Sequence, residues 1–165
     1  MTVTVRRART ADVPHIRRLV DFYAGQRILL SKETVTLYED VQEFWVALDE
    51  DEVVGCGALH VLWSDLAEIR TLATDPSRRG QGVGGVVLDH LLDVARAVGV
   101  TRVFCLTFET AFFGGHGFVE IDGTPVAPDV YAELLRSYDE GVAEFLGLDR
   151  VKPNTLGNSR MILTL

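Results

Sequence analysis

Apolar positions along the chain switch between a period of two and a period near 3.6, and the switches mark its elements. Residues 2–7 alternate and predict a short first strand. Thr10 is placed as a helix N-cap, and Ile16, Leu19, Val20 and Tyr23 then keep helical spacing until Gly25 ends the helix. Residues 27–30 read as a connector, and Ser31 opens a second helix carrying Val35, Tyr38 and Val41. Residues 43–48 and 53–62 predict strands. The acidic turn between them makes the pair an antiparallel hairpin. After a turn at 63–66, residues 68–74 are mostly β-branched or apolar and predict another strand.

Asp75-Pro76-Ser77 is a turn signal, because Pro presets φ and Asp and Ser bond their own backbone. Arg78, Arg79, Gly80, Gln81, Gly82, Val83 and Gly84 then lead into an apolar stripe at Val86, Val87, Leu88, Leu91, Leu92, Ala95 and Val98. A stripe that broad is a helix packed on a sheet, and Gly99 stops it. Residues 103–108 predict a strand, 110–116 one or two helical turns, and 117–121 a further strand. Pro128, Val130, Leu134, Leu135, Tyr138, Val142, Phe145 and Leu146 sketch one long helix with an acidic face. A loop at 152–157 precedes a closing strand at 159–165.

At 165 residues the chain reads as one domain, 1–165, large enough for a core without staples. Apolar content of 47% and charged content of 24% are ordinary for a globular protein. No apolar run reaches the ~20 residues that span a bilayer, and the N-terminus lacks the apolar core of a signal peptide. Cys56 and Cys105 sit in apolar strands and read as buried free thiols of a reduced, cytoplasmic protein. No Cys/His spacing suggests a metal site. The net charge of -8 argues against nucleic acid or anionic membrane as a partner. An anionic ligand must therefore be met by locally placed cations or backbone donors, and the loop at 78–84 is such a place.

A glycine-rich loop that opens a helix presents unpaired N–H groups at the positive end of the helix dipole, which suits phosphate or pyrophosphate. A P-loop would need Lys then Ser or Thr after its last Gly, and this chain has Gly84-Gly85-Val86. Gly80, Gly82 and Gly85 match G-x-G-x-x-G, but five residues separate them from the strand, too many for a dinucleotide turn. The remaining pattern, R-x-x-G-x-G at Arg79, Gly82 and Gly84, resembles the acetyl-CoA loop of the GNAT superfamily of N-acetyltransferases. The element order and the Gly117-Phe118 pair opening a strand match the same superfamily. More finely, RILLSKETVTLYEDVQEFWVA, GCGALH, AEIRTLAT, LTFE, FFGGHGF and NSRMIL resemble the acetyltransferase domain of N-acetylglutamate synthase, here standing alone.

The resemblance implies a single α/β (α+β) domain with a central mixed, mostly antiparallel, splayed sheet and helices on both faces. It implies acetyl-CoA as co-substrate, no metal, and a small amino-acid acceptor, glutamate or glutamine, as in the first step of arginine biosynthesis. It leaves room for a homodimer. Arg79, Gly80, Gln81, Gly82, Val83 and Gly84 would hold the cofactor, with Phe113 beside it. A free N–H among Leu72, Ala73 and Thr74 would bond the thioester oxygen, worth ~3 kcal/mol as an oxyanion donor.

Glu68 matches the Glu of the synthase strand and is the first candidate base; on simple alternation it shares a face with Arg70 and Leu72. His60 on the neighbouring strand is the second candidate. His116 is weaker. The Tyr that many superfamily members use as general acid is replaced here by Phe112-Phe113, which otherwise read as core. For the acceptor's carboxylates the family pattern points to Leu29, Leu30, Asn158 and Ser159. The family Arg falls on Gly157, a departure for which Arg70, Lys152 or Arg160 could compensate. Other readings are an acetyltransferase for another amine or a protein N-terminus, and a catalytically silent acetyl-CoA-binding module.

Overall fold

The computed structural model describes residues 2–26, 32–148 and 157–165. Strand β1 (Val3–Arg7) leads through a 3-10 turn at Thr10–Asp12 into α1 (Val13–Gly25), followed by α2 (Thr34–Glu39). Strands β2 (Phe44–Asp49), β3 (Glu52–Trp63) and β4 (Leu66–Thr74) precede α3 (Val83–Val98). Then come β5 (Arg102–Thr107), α4 (Thr110–Gly115), β6 (Val119–Ile121), α5 (Pro128–Leu134), α6 (Glu140–Leu146) and β7 (Ser159–Thr164).

Among the described residues the strands form one sheet in the order β1-β2-β3-β4-β5-β7-β6. Neighbours are antiparallel except β4 and β5, which run parallel and pair only at Leu66–Arg102, Ala67–Val103 and Glu68–Phe104. Past Glu68 the two strands part. The mixed, splayed sheet with helices on both faces is the architecture that the family resemblance implies.

Helix α3 covers one face, its Val87, Leu88 and Leu91 packed on Val54, Ala67, Ile69 and Val103. The other face carries two separate clusters. Ile16, Leu19 and Val20 of α1 pack with Leu37 of α2 on Val46, Cys56 and Ala58. Val142, Phe145 and Leu146 of α6 pack on Leu66 and Phe104. His60, Glu68 and Arg70 lie on this second face between those clusters, since His60 is directly opposite Glu68 and Ala58 opposite Arg70.

Close packing of α3 depends on the absence of side chains in β3. A Cβ on Gly57 would sit 2.8 Å from Leu91 Cδ1 and 3.0 Å from Val87 Cγ1. Gly57→Ala is therefore expected to cost about 1–3 kcal/mol through forced displacement of the helix. A lowered urea midpoint at unchanged slope is the expected readout, and an unchanged midpoint would contradict it.

The sequence misreads two boundaries and one helix face. Thr10 does not cap α1; it begins the 3-10 turn, where Asp12 Oδ2 accepts the Arg9 N–H at 2.7 Å. In α2 the buried residue is Leu37, while Val35 and Tyr38 face solvent. The long helix predicted over 128–146 is two helices. Asp139 begins the second, its Oδ1 accepting the Val142 N–H at 2.8 Å and its own N–H bonding Ser137 Oγ at 3.1 Å. A side chain that caps a new helix outcompetes apolar periodicity.

Candidate active site

Where β4 and β5 separate, a cleft of about 430 Å³ opens, floored by residues 71–74 and 105–107 and bounded by the glycine loop and α4. Its geometry is set by a bulge in β4. Cys56 pairs with Ala73 and Ala58 with Arg70, so Thr71 and Leu72 together oppose Gly57. Thr71 takes φ 55, the left-handed region that a β-branched residue rarely enters. The extra residue reverses the alternation. Leu72 turns to the α3 side, within reach of Gly57, and not to the face of Glu68 and Arg70 as strict alternation predicts.

The bulge also aims the backbone. Asp75 N–H donates to Val54 O at 2.8 Å, so in the antiparallel register Ala73 faces β3 as well. Leu72 and Thr74 therefore point their N–H and C=O groups into the gap left by β5. The Tyr23 hydroxyl enters the same gap from α1 and donates to Thr74 O at 2.5 Å.

Beside the gap the glycine loop begins α3. Gly80 and Gly82 take φ 77 and 84, and Gly82 is the N-cap. The Gln81 N–H bonds back onto Arg78 O at 3.2 Å, and the next N–H to do so is that of Val86, onto Gly82 O, so the N–H groups of residues 82–85 between them remain available. The loop is braced from outside. Asp75 Oδ1 accepts from Ser77 N at 2.9 Å and Ser77 Oγ at 2.7 Å, and Arg18 Nη1 donates to Asp75 Oδ2 at 2.6 Å. The Arg18 bond, then those of Ser77, hold the Asp75 carboxyl down to about 2. Arg78 is committed away from the cleft: it pairs with Asp49 at 2.7 Å and Glu52 at 3.3 Å across the hairpin turn. Arg79 carries no ion pair among the described residues and lines the cleft. Gln81 bends back, Nε2 donating to Ser77 O at 3.4 Å. Val83 and Phe113 line the cleft from core positions. Free N–H groups, one uncommitted guanidinium and an open gap fit a pyrophosphate with an extended arm.

On the other side of the sheet lies a row of charge. Glu68 is 4% exposed. Burial pushes its carboxyl above the ordinary range, against the pull of Arg70, whose Nε donates to Glu68 Oε2 at 3.0 Å. Arg70 Nη2 also lies 2.8 Å from Asp139 Oδ1, an ion-pair contact poorly aligned for a hydrogen bond. A Cβ on Gly141 would fall 2.4 Å from Arg70 Cζ, so the backbone of α6 lies flat on the guanidinium. His60 Nδ1 is 2.7 Å from Glu43 Oε1. Glu144 of α6 is pushed up to about 7, by burial and then by the charge of Glu68.

Ser159 pairs with Thr107 at the start of β7, where β5 borders the cleft, and Asn158 precedes it. Arg160 is not available to a carboxylate as expected. Its Nε donates to Gly123 O at 2.8 Å and its Nη2 to Phe145 O, and its guanidinium stacks 5.0 Å over Phe104. Leu29, Leu30 and Lys152 lie outside the described residues. His116 bonds Phe112 O at 2.9 Å away from the charged row. Sequence reasoning missed Tyr23, Glu43, Asp139 and Glu144, which reach the site from helices and turns distant in the chain. The notable signal for Tyr23 was its place at the end of the apolar stripe of α1.

Residues 15–121 match the family described as Acetyltransferase (GNAT) family. An amino-acid acetyltransferase of Mycobacterium tuberculosis is 65% identical over 164 residues, 98% of this chain and 94% of that protein. A crystal structure from the same organism, in complex with CoA and NLQ, superposes with a TM-score of 0.94 at 65% identity, over 98% of this chain and 99% of that one. N-acetylglutamate synthase from Neisseria gonorrhoeae, complexed with coenzyme A and N-acetyl-glutamate, gives a TM-score of 0.79 at 25% identity, covering all of this chain (100%) and 35% of that one. With its parted strands and its glycine loop at the head of α3, the chain belongs to the GNAT family of acetyltransferases.

Proposed function

We propose that this protein transfers the acetyl group of acetyl-CoA to the α-amine of L-glutamate, L-glutamine, or both. The observation that carries the reading is the parting of β4 from β5 beyond Glu68. It leaves an open cleft of about 430 Å³ on one side of β4 and a largely buried charged row on the other. The 65% identity over nearly the full length of an amino-acid acetyltransferase supports an amino acid as acceptor.

In this reading the glycine loop and Arg79 hold the pyrophosphate, and the N–H groups of Leu72 and Thr74 face the pantetheine arm and the thioester oxygen. An ammonium gives up a proton on the face of Glu68 and His60. The neutral amine then adds to the carbonyl carbon, the C–S bond breaks, and CoA leaves. A thiolate of ordinary basicity departs without an obligatory acid, which suits the phenylalanines at 112 and 113. The buried thiols support a reducing compartment such as the cytoplasm, Cys56 being pushed up to about 12 by burial.

The acceptor face favours an uncharged side chain. Glu43, Glu68, Asp139 and Glu144 surround it, against Arg70 and Lys32 as cations acting there. An acceptor screen across the twenty amino acids, read by release of free thiol, is expected to give glutamine a kcat/KM equal to or above that of glutamate. Both should stand well above the rest. Faster acetylation of lysine, polyamines or peptide N-termini would remove the amino-acid reading. Absence of thiol release with every acceptor tested would leave a binding module instead.

A further inference from the structure

Glu43 has no part in proton transfer in the reading above, yet it makes a short bond to a side chain on the acceptor face. We propose that Glu43 and His60 form a carboxylate–imidazole dyad in which His60 Nε2 is the base that takes the acceptor's proton, with Glu43 as its positioning residue. The proposal rests on the acetyl-transfer reading and adds to it the identity of the base.

The geometry begins with Glu43, in a 3-10 turn (Val41–Glu43) just before β2, which sets its Oε1 2.7 Å from His60 Nδ1. An ionised carboxylate only accepts, so Nδ1 must carry the proton and donate it. That fixes the tautomer: Nε2 keeps its lone pair and can accept. A histidine held this way is oriented and made more basic by its partner, the logic of every carboxylate–imidazole pair in hydrolytic triads. The His60 side chain is 20% exposed, whereas that of Glu68 is 6% exposed. Glu68 also has one oxygen committed to Arg70. The more accessible group, with a free lone pair, is therefore His60. Glu68, directly opposite it across the strand pair, is placed to stabilise the imidazolium as it forms.

The groups acting on His60 are Glu43 from the turn before β2, Glu68 and Arg70 from β4, and Asp139 from α6. Asp40 and Glu144 lie behind Glu43 and Glu68, and burial raises both of their carboxyls. Protons are conserved through the step. Of the three on the acceptor ammonium, one passes to Nε2 and on to solvent, one stays on the product amide, and one is released as the C–S bond breaks and balances the protonation of the departed CoA thiolate.

The test reads the imidazole directly. NMR titration of the free protein, with His60→Asn to assign its resonance among the four histidines, follows the ring in the parent, Glu43→Gln and Glu43→Asp. Glu43→Gln keeps an oxygen for Nδ1 and removes the charge. The His60 midpoint, and with it the acid limb of kcat/KM, is expected to fall by roughly one pH unit. Glu43→Ala, which also removes the orientation, should lower kcat roughly ten- to a hundredfold with little change in the KM for acetyl-CoA. Glu43→Asp should restore a large part of both. The limb is measured with the best amine from the acceptor screen, so an error in the acceptor class leaves this test intact. A purely structural Glu43 would lower the melting temperature without moving either midpoint. That result, or an acid limb that moves in Glu68→Gln but stays in place in Glu43→Gln, would overturn the proposal and return the base to Glu68.

Discussion

Gly82→Asp is expected to weaken acetyl-CoA binding by roughly 30- to 1,000-fold, about 2–4 kcal/mol, in a protein that still folds. Gly82 takes φ 84, and a Cβ there meets nothing within 4 Å among the described residues. The fold therefore loses only the cost of a left-handed aspartate, about 1–2 kcal/mol at most. Part of that returns, because aspartate is a good N-cap and sits at the positive end of α3. The same gain is the lesion. The new carboxylate accepts from the N–H groups that a pyrophosphate would use, and it places negative charge beside Arg79. Gly82→Ala separates the effects, since it imposes the backbone strain without the charge and should lose far less affinity. Calorimetry with CoA, alongside thermal melts, measures both quantities. An unchanged CoA affinity in folded Gly82→Asp would remove the loop from the donor site.

What the sequence made legible follows from where the information lies. The glycine loop, the preceding strand and the following helix are contiguous, so turn chemistry and apolar period mark them together. The mixed, splayed character of the sheet follows from the family resemblance carried by those segments, whereas the order of its strands comes from the structure. The acceptor face is different, because its members come from the turn before β2, from β3, β4 and α6, and no local pattern links Glu43 to His60 or Asp139 to Arg70. Strict alternation also misleads in β4. The bulge at Thr71 inserts one residue, and Leu72 crosses to the other face. Nor can a period reveal that Arg78 and Arg160 are committed elsewhere. The former serves Asp49 and Glu52, and the latter serves carbonyls and aromatic rings.

Arg70→Met should be the most damaging single change on the acceptor face, costing about 3–5 kcal/mol near neutral pH. Methionine fills a similar volume and removes the charge, leaving the Glu68 carboxylate buried without its counterion. Asp139 suffers less, because it is 28% exposed and keeps the Val142 N–H. The pH dependence fixes the cause. Burial already raises the Glu68 carboxyl in the folded state, and it rises further once Arg70 is gone. A carboxyl with a raised folded value binds its proton more tightly folded than unfolded. Its burden on stability is therefore absent at pH near 4 and grows as pH climbs through the folded value. The gap between parent and variant should accordingly be small in acid and widest above neutrality. The double change Arg70→Met with Glu68→Gln should recover most of the loss by removing the orphaned charge. A cost that is flat with pH, or a double variant no more stable than the single one, would mean that Arg70 acts through packing beneath Gly141 and not through charge. If the charge account holds, Arg70 is what keeps an ionised Glu68 beside His60, and so sets the field in which the acceptor loses its proton.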